Sequence, residues 1–174
     1  MPLSAAKSGC ATVPVMTSLL RMLEFLALGV WLGSDAFLSF VVAPGAFRVL
    51  GSRDQAGLVV GFALSRMHWI GIVCGVIFLV VRLARMRSVA SLIAPAALCV
   101  VLMIGLTVVS ERAVSPKMAA LRMQMGSIQA TAANSPLLVE FGKLHRVSVA
   151  LESGVLLAGL AAMYLLVRES ALAR

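Results

Sequence analysis

Four stretches of nearly unbroken apolar residues, 23–42, 64–83, 88–110 and 147–167, alternate with shorter polar segments along the chain. Each is close to the roughly 20 residues with which a helix crosses a bilayer, so the pattern predicts an all-α, integral membrane four-helix bundle forming one transmembrane domain over residues 1–174. Asp35 interrupts the first stretch and Glu24 stands at its edge; Arg66 and Arg82 lie near the ends of the second; the third has no charge; the fourth holds Glu152. The two arginines are expected to snorkel towards the headgroups. With four spans both termini lie on one side, here the terminal side, and the two long connections lie on the other, the loop side.

The connections carry helical signals of their own. Ser52-Arg53-Asp54-Gln55 reads as a capping box, with Ala56, Val59, Val60, Ala63 and Met67 following on one face, so the second helix should begin within the amphipathic segment 52–65. A helix from Arg53 to Arg85 is roughly 50 Å long at 1.5 Å per residue, and Ser135-Pro136 predicts an equally long fourth helix reaching Arg168. Helices 2 and 4 are therefore expected to extend beyond the membrane on the loop side. Within 116–140, Met118, Leu121, Met125 and Ile128 form a stripe beside Lys117, Arg122 and Gln124, suited to the membrane surface or to folding back over the bundle. Pro95, a few residues into the third span, is expected to kink it.

Composition agrees: 61% of residues are apolar and 13% charged, with a mean hydropathy of +1.03, which excludes a water-soluble enzyme, a disordered chain and a disulfide scaffold. The net charge of +8 would raise nucleic acid in a soluble domain, but here the basic residues flank apolar runs and face the lipid bilayer instead. Cys10, Cys74 and Cys99 are odd in number and lack metal-ligand spacing, so no disulfide is implied. Residues 1–16 read as a polar tail without a removable signal, and Met16 is an alternative natural start. Lys and Arg divide almost evenly between the two sides; the dense turn Arg82-Leu83-Ala84-Arg85-Met86-Arg87 points to cytoplasmic termini.

Two blocks resemble one another. Ala43-Pro44-Gly45-Ala46-Phe47-Arg48 with Ser65-Arg66-Met67-His68-Trp69 matches Ser115-Pro116-Lys117-Met118 with Gly142-Lys143-Leu144-His145-Arg146 in pattern: a span ends, a proline follows, and a long helix returns with a histidine at the boundary. The chain then reads as two duplicated helical hairpins, with His68 and His145 at equivalent heights. Two imidazoles facing each other across a bundle can hold a transition metal or haem iron; each can equally be an interfacial residue bonded to a carbonyl or headgroup. Asp35 and Glu152 lie roughly 10 to 13 Å inside the loop-side boundary, and an unpaired carboxylate there costs at least ~2.5 kcal/mol, so both should face the interior and be paired or protonated. His145, Ser148, Val149 and Glu152 share one helical face. The candidate cation or metal site is therefore His68, His145, Glu152 and Asp35, with Cys74, Met103 and Glu111 as weaker members. Alternatively the acids fix helix order by pairing. Gly29-x-x-x-Gly33, Gly71-x-x-x-Gly75 and Gly154-x-x-x-Ala158 suit close helix packing within the bundle or a homo-oligomer. Walker, dinucleotide, Gly-x-Ser-x-Gly, His-Glu-x-x-His and Cys-x-x-Cys motifs are all absent from the sequence, which disfavours an enzyme.

Trp31-Leu32-Gly33, the run from Val41 to Arg48, Arg66-Met67-His68-Trp69-Ile70-Gly71 and Phe141-Gly142-Lys143-Leu144-His145 together resemble the bacterial relatives of transmembrane protein 205, from Met16 to Val167. The resemblance implies a small four-span protein of the bacterial inner membrane and supplies no catalytic residues. Asp35 departs from the family's pattern. Three functional readings remain: cation binding or translocation through the interior polar site, an accessory subunit docking a membrane partner, and a bis-histidine haem protein.

Overall fold

The computed structural model describes residues 12–172, with side chains from Met16 onward; Cys10 and the rest of the tail over residues 1–11 fall outside the described part, and residues 12–16 of the tail belong to the first helix. Among the described residues there is no strand. Helix α1 (Thr12–Phe37) passes through a π turn (Leu38–Val42) into α2 (Ala43–Val49); α3 (Arg53–Met86) follows; a 3₁₀ turn (Val89–Ile93) leads to α4 (Pro95–Val109), which passes through a second π turn (Ser110–Val114) into α5 (Ser115–Met125); α6 (Pro136–Leu172) closes the chain. These make four continuous rods, Met16–Val49, Arg53–Met86, Pro95–Met125 and Pro136–Leu172, each long and apolar enough to cross a bilayer. At 34 residues α3 is about 51 Å long against a hydrocarbon core of about 30 Å, so it reaches well past the membrane on the loop side.

The buried positions explain why the rods assemble. They recur mostly at three- and four-residue spacing, with adjacent pairs at Ala27-Leu28 and Cys74-Gly75 and a two-turn step from Ser148 to Val155: Glu24, Ala27, Leu28, Trp31, Asp35 and Leu38 on the first rod; His68, Gly71, Cys74, Gly75, Phe78 and Arg82 on the second; Val100, Met103, Thr107 and Ser110 on the third; Ser148, Val155, Gly159, Ala162 and Leu166 on the fourth. This is the seam of a left-handed bundle. Helix α1 packs mainly on α3 and α4 on α6, and the two hairpins close through α3 on α4 and α1 on α6. Outside the seam the surface is equally apolar, with Phe40, Phe62, Val80, Leu157, Leu160 and Tyr164 exposed. A helix apolar on all sides belongs in lipid, and the chain is an integral, multi-pass membrane protein.

Four expectations are corrected. The first span does not end before Pro44, nor the third before Pro116. Proline lacks an N–H and clashes with the carbonyl four residues back. Here the residue before each proline bonds the carbonyl five back, Ala43 to Leu38 and Ser115 to Ser110, and the wider turn lets the helix run on. Consequently residues 116–125 do not fold back over the bundle; they continue the third rod. Pro95 does not kink that rod but opens it, behind Ala94 in extended conformation. Arg82 does not snorkel: it is 1% exposed and its Nη2 donates to both carboxylate oxygens of Glu169 at 2.8 Å.

The loop after α5 caps the second rod. Ser52 Oγ accepts from Gln55 N, and Asp54 accepts from Ser127 Oγ at 2.6 Å and Ile128 N at 2.7 Å. The Arg122 guanidinium lies over Gly57, where a Cβ would come within 2.8 Å of Nη2.

Glycine placement is uneven. A Cβ at Gly71 would overlap the Trp31 indole and one at Gly75 would meet it at 2.7 Å, so this pair is the seat of a tryptophan. Gly154 approaches Leu106 at 3.1 Å, whereas Gly29 and Gly33 meet nothing within 4 Å. Gly71→Ala should therefore lower stability by roughly 1–3 kcal/mol through overpacking against Trp31, and Gly33→Ala should leave it unchanged or slightly raised. Thermal melts of both variants in one mild detergent check this; equal melting temperatures would contradict the seat.

Candidate functional site

The second rod's buried stripe places His68 at 0% exposure in the interior. Its Nδ1 lies 2.8 Å from Glu111 Oε2 on the third rod, and its Nε2 lies 2.7 Å from Glu152 Oε1 on the fourth. Serines complete the set: Ser65 Oγ donates to Glu111 Oε1 at 2.8 Å, and Ser110 Oγ donates to Glu152 Oε1 at 3.1 Å. The first rod contributes Asp35, 1% exposed, whose Oδ1 accepts from Ser39 Oγ at 3.3 Å and which is close enough to Glu152 and His68 to interact with their charges. Each rod therefore brings one ionisable side chain to a single interior level.

Both π turns lie at this level. Glu111 and Ser110 belong to the second, and Ser39 to the first. Neighbours in sequence point about 100° apart on an α-helix; within the widened turn Ser110 and Glu111 both reach the cluster, one touching Glu152 and the other His68.

Counting protons constrains the chemistry. An ionised carboxylate only accepts, and a neutral imidazole has one N–H. Two short contacts, one at each ring nitrogen, therefore need two shared protons: an imidazolium between two carboxylates, or a neutral ring that donates to one and accepts from the other as an acid. Both forms carry the same number of protons and a net charge of −1. Interconversion moves one proton across a contact of 2.8 Å or less.

Several polar atoms here are buried and have no hydrogen-bond partner: Asp35 Oδ2, Glu152 Oε2, Thr107 Oγ1 and Trp31 Nε1. Such atoms are rare in folded proteins and each calls for an occupant or a role. The cluster opens slightly at Glu111 and Glu152, whose side chains are 16% and 12% exposed. Towards the terminal side it is closed by Leu28, Trp31, Phe78, Val100, Met103 and Leu166, all at most 1% exposed.

Of the residues singled out from the sequence, Asp35, His68, Glu111 and Glu152 come together. His145 does not: it is exposed on α6, and the two histidines do not face one another as the hairpin repeat implied. His68 has both ring nitrogens against carboxylates, so in this arrangement it offers no free lone pair to haem iron or another metal. Among the described residues no group of three or more His, Cys, Asp and Glu is arranged to hold a metal ion. Cys74 and Met103 are buried in the apolar core beside Trp31 and Phe78. Ser39, Ser65, Ser110 and Thr107 were not singled out as site members. Their sequence signal was weak, since each lies one helical turn or one residue from an acid or the histidine.

A family model described as a domain of unknown function (DUF4149) matches residues 26–127, a span that takes in Asp35, His68 and Glu111 and stops before Glu152. No curated protein and no solved structure matches the chain.

The geometry makes the cluster energetically coupled. Removing His68 alone leaves the two carboxylates without the donor they share, each keeping only its serine, a change of roughly 3–5 kcal/mol, whereas removing a carboxylate together with the histidine should restore part of that. His68→Ala is expected to destabilise strongly, the His68→Ala, Glu111→Gln double variant less than the sum of its singles, and His145→Ala by no more than about 0.5 kcal/mol. A double-mutant cycle on thermal melts reads the coupling; additive singles would refute it.

Proposed function

The chain belongs to the DUF4149 family, and we propose that its bundle binds and translocates a cation, namely the proton, along Glu111, His68 and Glu152 with Asp35 beyond them. The observation that carries this reading is the clamping of one fully buried imidazole between two carboxylates on different helices. Imidazole suits the role because it accepts a proton at one nitrogen and releases one from the other. In the proposed sequence a proton arrives at Glu111, the more exposed acid, while Ser65 steadies its second oxygen. It passes to His68 Nδ1 as Nε2 releases its own proton to Glu152, and the unpartnered oxygens of Glu152 and Asp35 provide the next acceptors. Once Glu152 has passed its proton on, the ring must move its remaining proton from Nδ1 to Nε2 by reorienting before Glu111 can deliver the next one.

Continuation towards the terminal side requires the Trp31 and Phe78 layer to part. Four helices are few for that motion, and a homo-oligomer or a membrane partner belongs to the proposal. So do the relationship to the bacterial relatives of transmembrane protein 205, a bacterial inner-membrane location and cytoplasmic termini, the last argued from Arg85, Arg87 and Arg168 near the terminal ends.

The test is proton flux in vesicles reconstituted with the full chain, driven by a potassium and valinomycin potential and read by an entrapped pH dye. Wild-type vesicles should carry flux well above protein-free ones; Glu152→Gln and His68→Gln should lose most of it; His145→Ala should retain it. Wild-type flux equal to that of protein-free vesicles overturns the proposal, as does full flux in Glu152→Gln.

A further inference from the structure

The opposite end of the bundle holds a second polar layer with a different charge balance. Glu24, 0% exposed on α1, accepts a two-pronged bond from Arg85, with Nε at 2.9 Å and Nη2 at 3.0 Å. Arg82 gives Nη2 to Glu169 and Nε to the Ser91 carbonyl at 3.2 Å. Two arginines thus face two glutamates. One donor of this layer is left over: Arg82 Nη1 is buried, has no hydrogen-bond partner and stands 3.9 Å from Glu24 Oε2.

Arg82 and Arg85 line an open cavity of about 500 Å³ together with Arg21, a half-buried residue that makes no hydrogen bond or ion pair among the described residues. Among the described residues the cavity's arginines and their glutamate partners sum to +1, since Glu24 and Glu169 offset two of the three guanidinium groups. Its remaining wall is apolar, through Met86, Ala94 and Leu166. Size, charge and a buried guanidinium nitrogen that makes no hydrogen bond, only a long ion pair to Glu24, suit an anion, and guanidinium groups match phosphate oxygens in shape and hydrogen bonding.

We propose that this cavity binds a phosphate-bearing anion, with Arg21 and Arg82 Nη1 as its donors. A basic pocket between helix ends beside an apolar wall suits the headgroup of an anionic phospholipid, with the first acyl carbons against Met86 and Leu166. Free inorganic phosphate offers the same oxygens without the tail. The site is independent of the proton cluster, which lies across the Trp31 and Phe78 layer.

The experiment is native mass spectrometry of the detergent-purified full chain with phosphatidylglycerol, phosphatidylcholine and inorganic phosphate added in separate arms. Arg21 carries no ion pair, so Arg21→Gln removes the ligand's donor without exposing a buried partner, and Arg48→Gln on the exposed loop side is the control. Retention of phosphatidylglycerol about tenfold over phosphatidylcholine, lost in Arg21→Gln, restored in Arg21→Lys and unchanged in Arg48→Gln, establishes the site as a lipid site. Binding of inorganic phosphate without a preference for phosphatidylglycerol, again lost in Arg21→Gln, establishes free phosphate as the source. Retention that is the same for both lipids with no phosphate bound, or the same in Arg21→Gln as in wild type, or equally lost in Arg48→Gln, overturns it.

Discussion

Hydrocarbon supplies neither a donor nor an acceptor, so every polar group that a helix carries into the bilayer must find its partner on another helix. In this chain that constraint fixes how the four rods register. Glu24 needs Arg85, Arg82 needs Glu169, and Glu111 and Glu152 both need His68. The first two pairs tie α1 and α6 to the terminal end of α3. The histidine ties the third and fourth rods to its loop-side half. A helix slipped by one turn, about 5.4 Å along its axis, would strand several of these groups at once. The apolar layer between them, around Leu28, Trp31, Phe78 and Met103, packs only where both polar layers are matched. Dispersion alone does not impose so definite a register, because lipid tails offer leucine the same contacts that another helix does.

The prolines act within this frame. A proline at the end of a span is ordinarily where the helix stops, but both Pro44 and Pro116 follow a π turn that absorbs the missing hydrogen bond. The extra width falls where Asp35, Ser39, Ser110 and Glu111 gather. Each hairpin therefore carries the same irregularity at the same level, whatever the ancestry of the two halves. On α6, facing the second irregularity, it is Glu152 that meets the centre, seven residues beyond the histidine that the sequence comparison had aligned with His68.

The fold was legible because its signal is physical and long-range: four apolar runs mark the four rods, and the capping box at Ser52 and the proline start at Pro136 give the starts of the second and fourth, while the first and third run on past the prolines that seemed to end them. Asp35 and Glu152 could be read as interior groups for the same reason, since a charge in a lipid-facing position is too costly. His145 was misjudged because the basic-apolar-His pattern gives depth along a helix and a shared face, but not whether a neighbouring helix covers that face at that depth. His68 is buried with Gly71, Cys74 and Phe78, whereas His145, one turn before Ser148 on the same face of α6, stands exposed. Arg82 was misjudged for a related reason. Its partner Glu169 lies 87 residues away, and a charge near a span end looks alike whether it snorkels outwards or turns in. Long-range polar pairing is the part of the structure that one sequence does not display.

The two polar layers differ in a way that separates scaffold from site. At the terminal end every glutamate oxygen has a donor, and two arginines balance two carboxylates in the core of the layer. Such a layer holds helices together and resists change. At the loop end one imidazole serves two glutamates, a third carboxylate stands beside them, and two carboxylate oxygens have no donor at all. The proposed proton role draws on this incomplete pairing: an amide or a hydroxyl at Asp35 and Glu152 would hold the helices with less charge in the interior. What the acids retain and an amide lacks is the capacity to take up and release a proton without moving the backbone. The excess of acceptors over donors is the physical basis for reading the histidine cluster, and not the more fully paired arginine layer, as the place where the bundle handles protons.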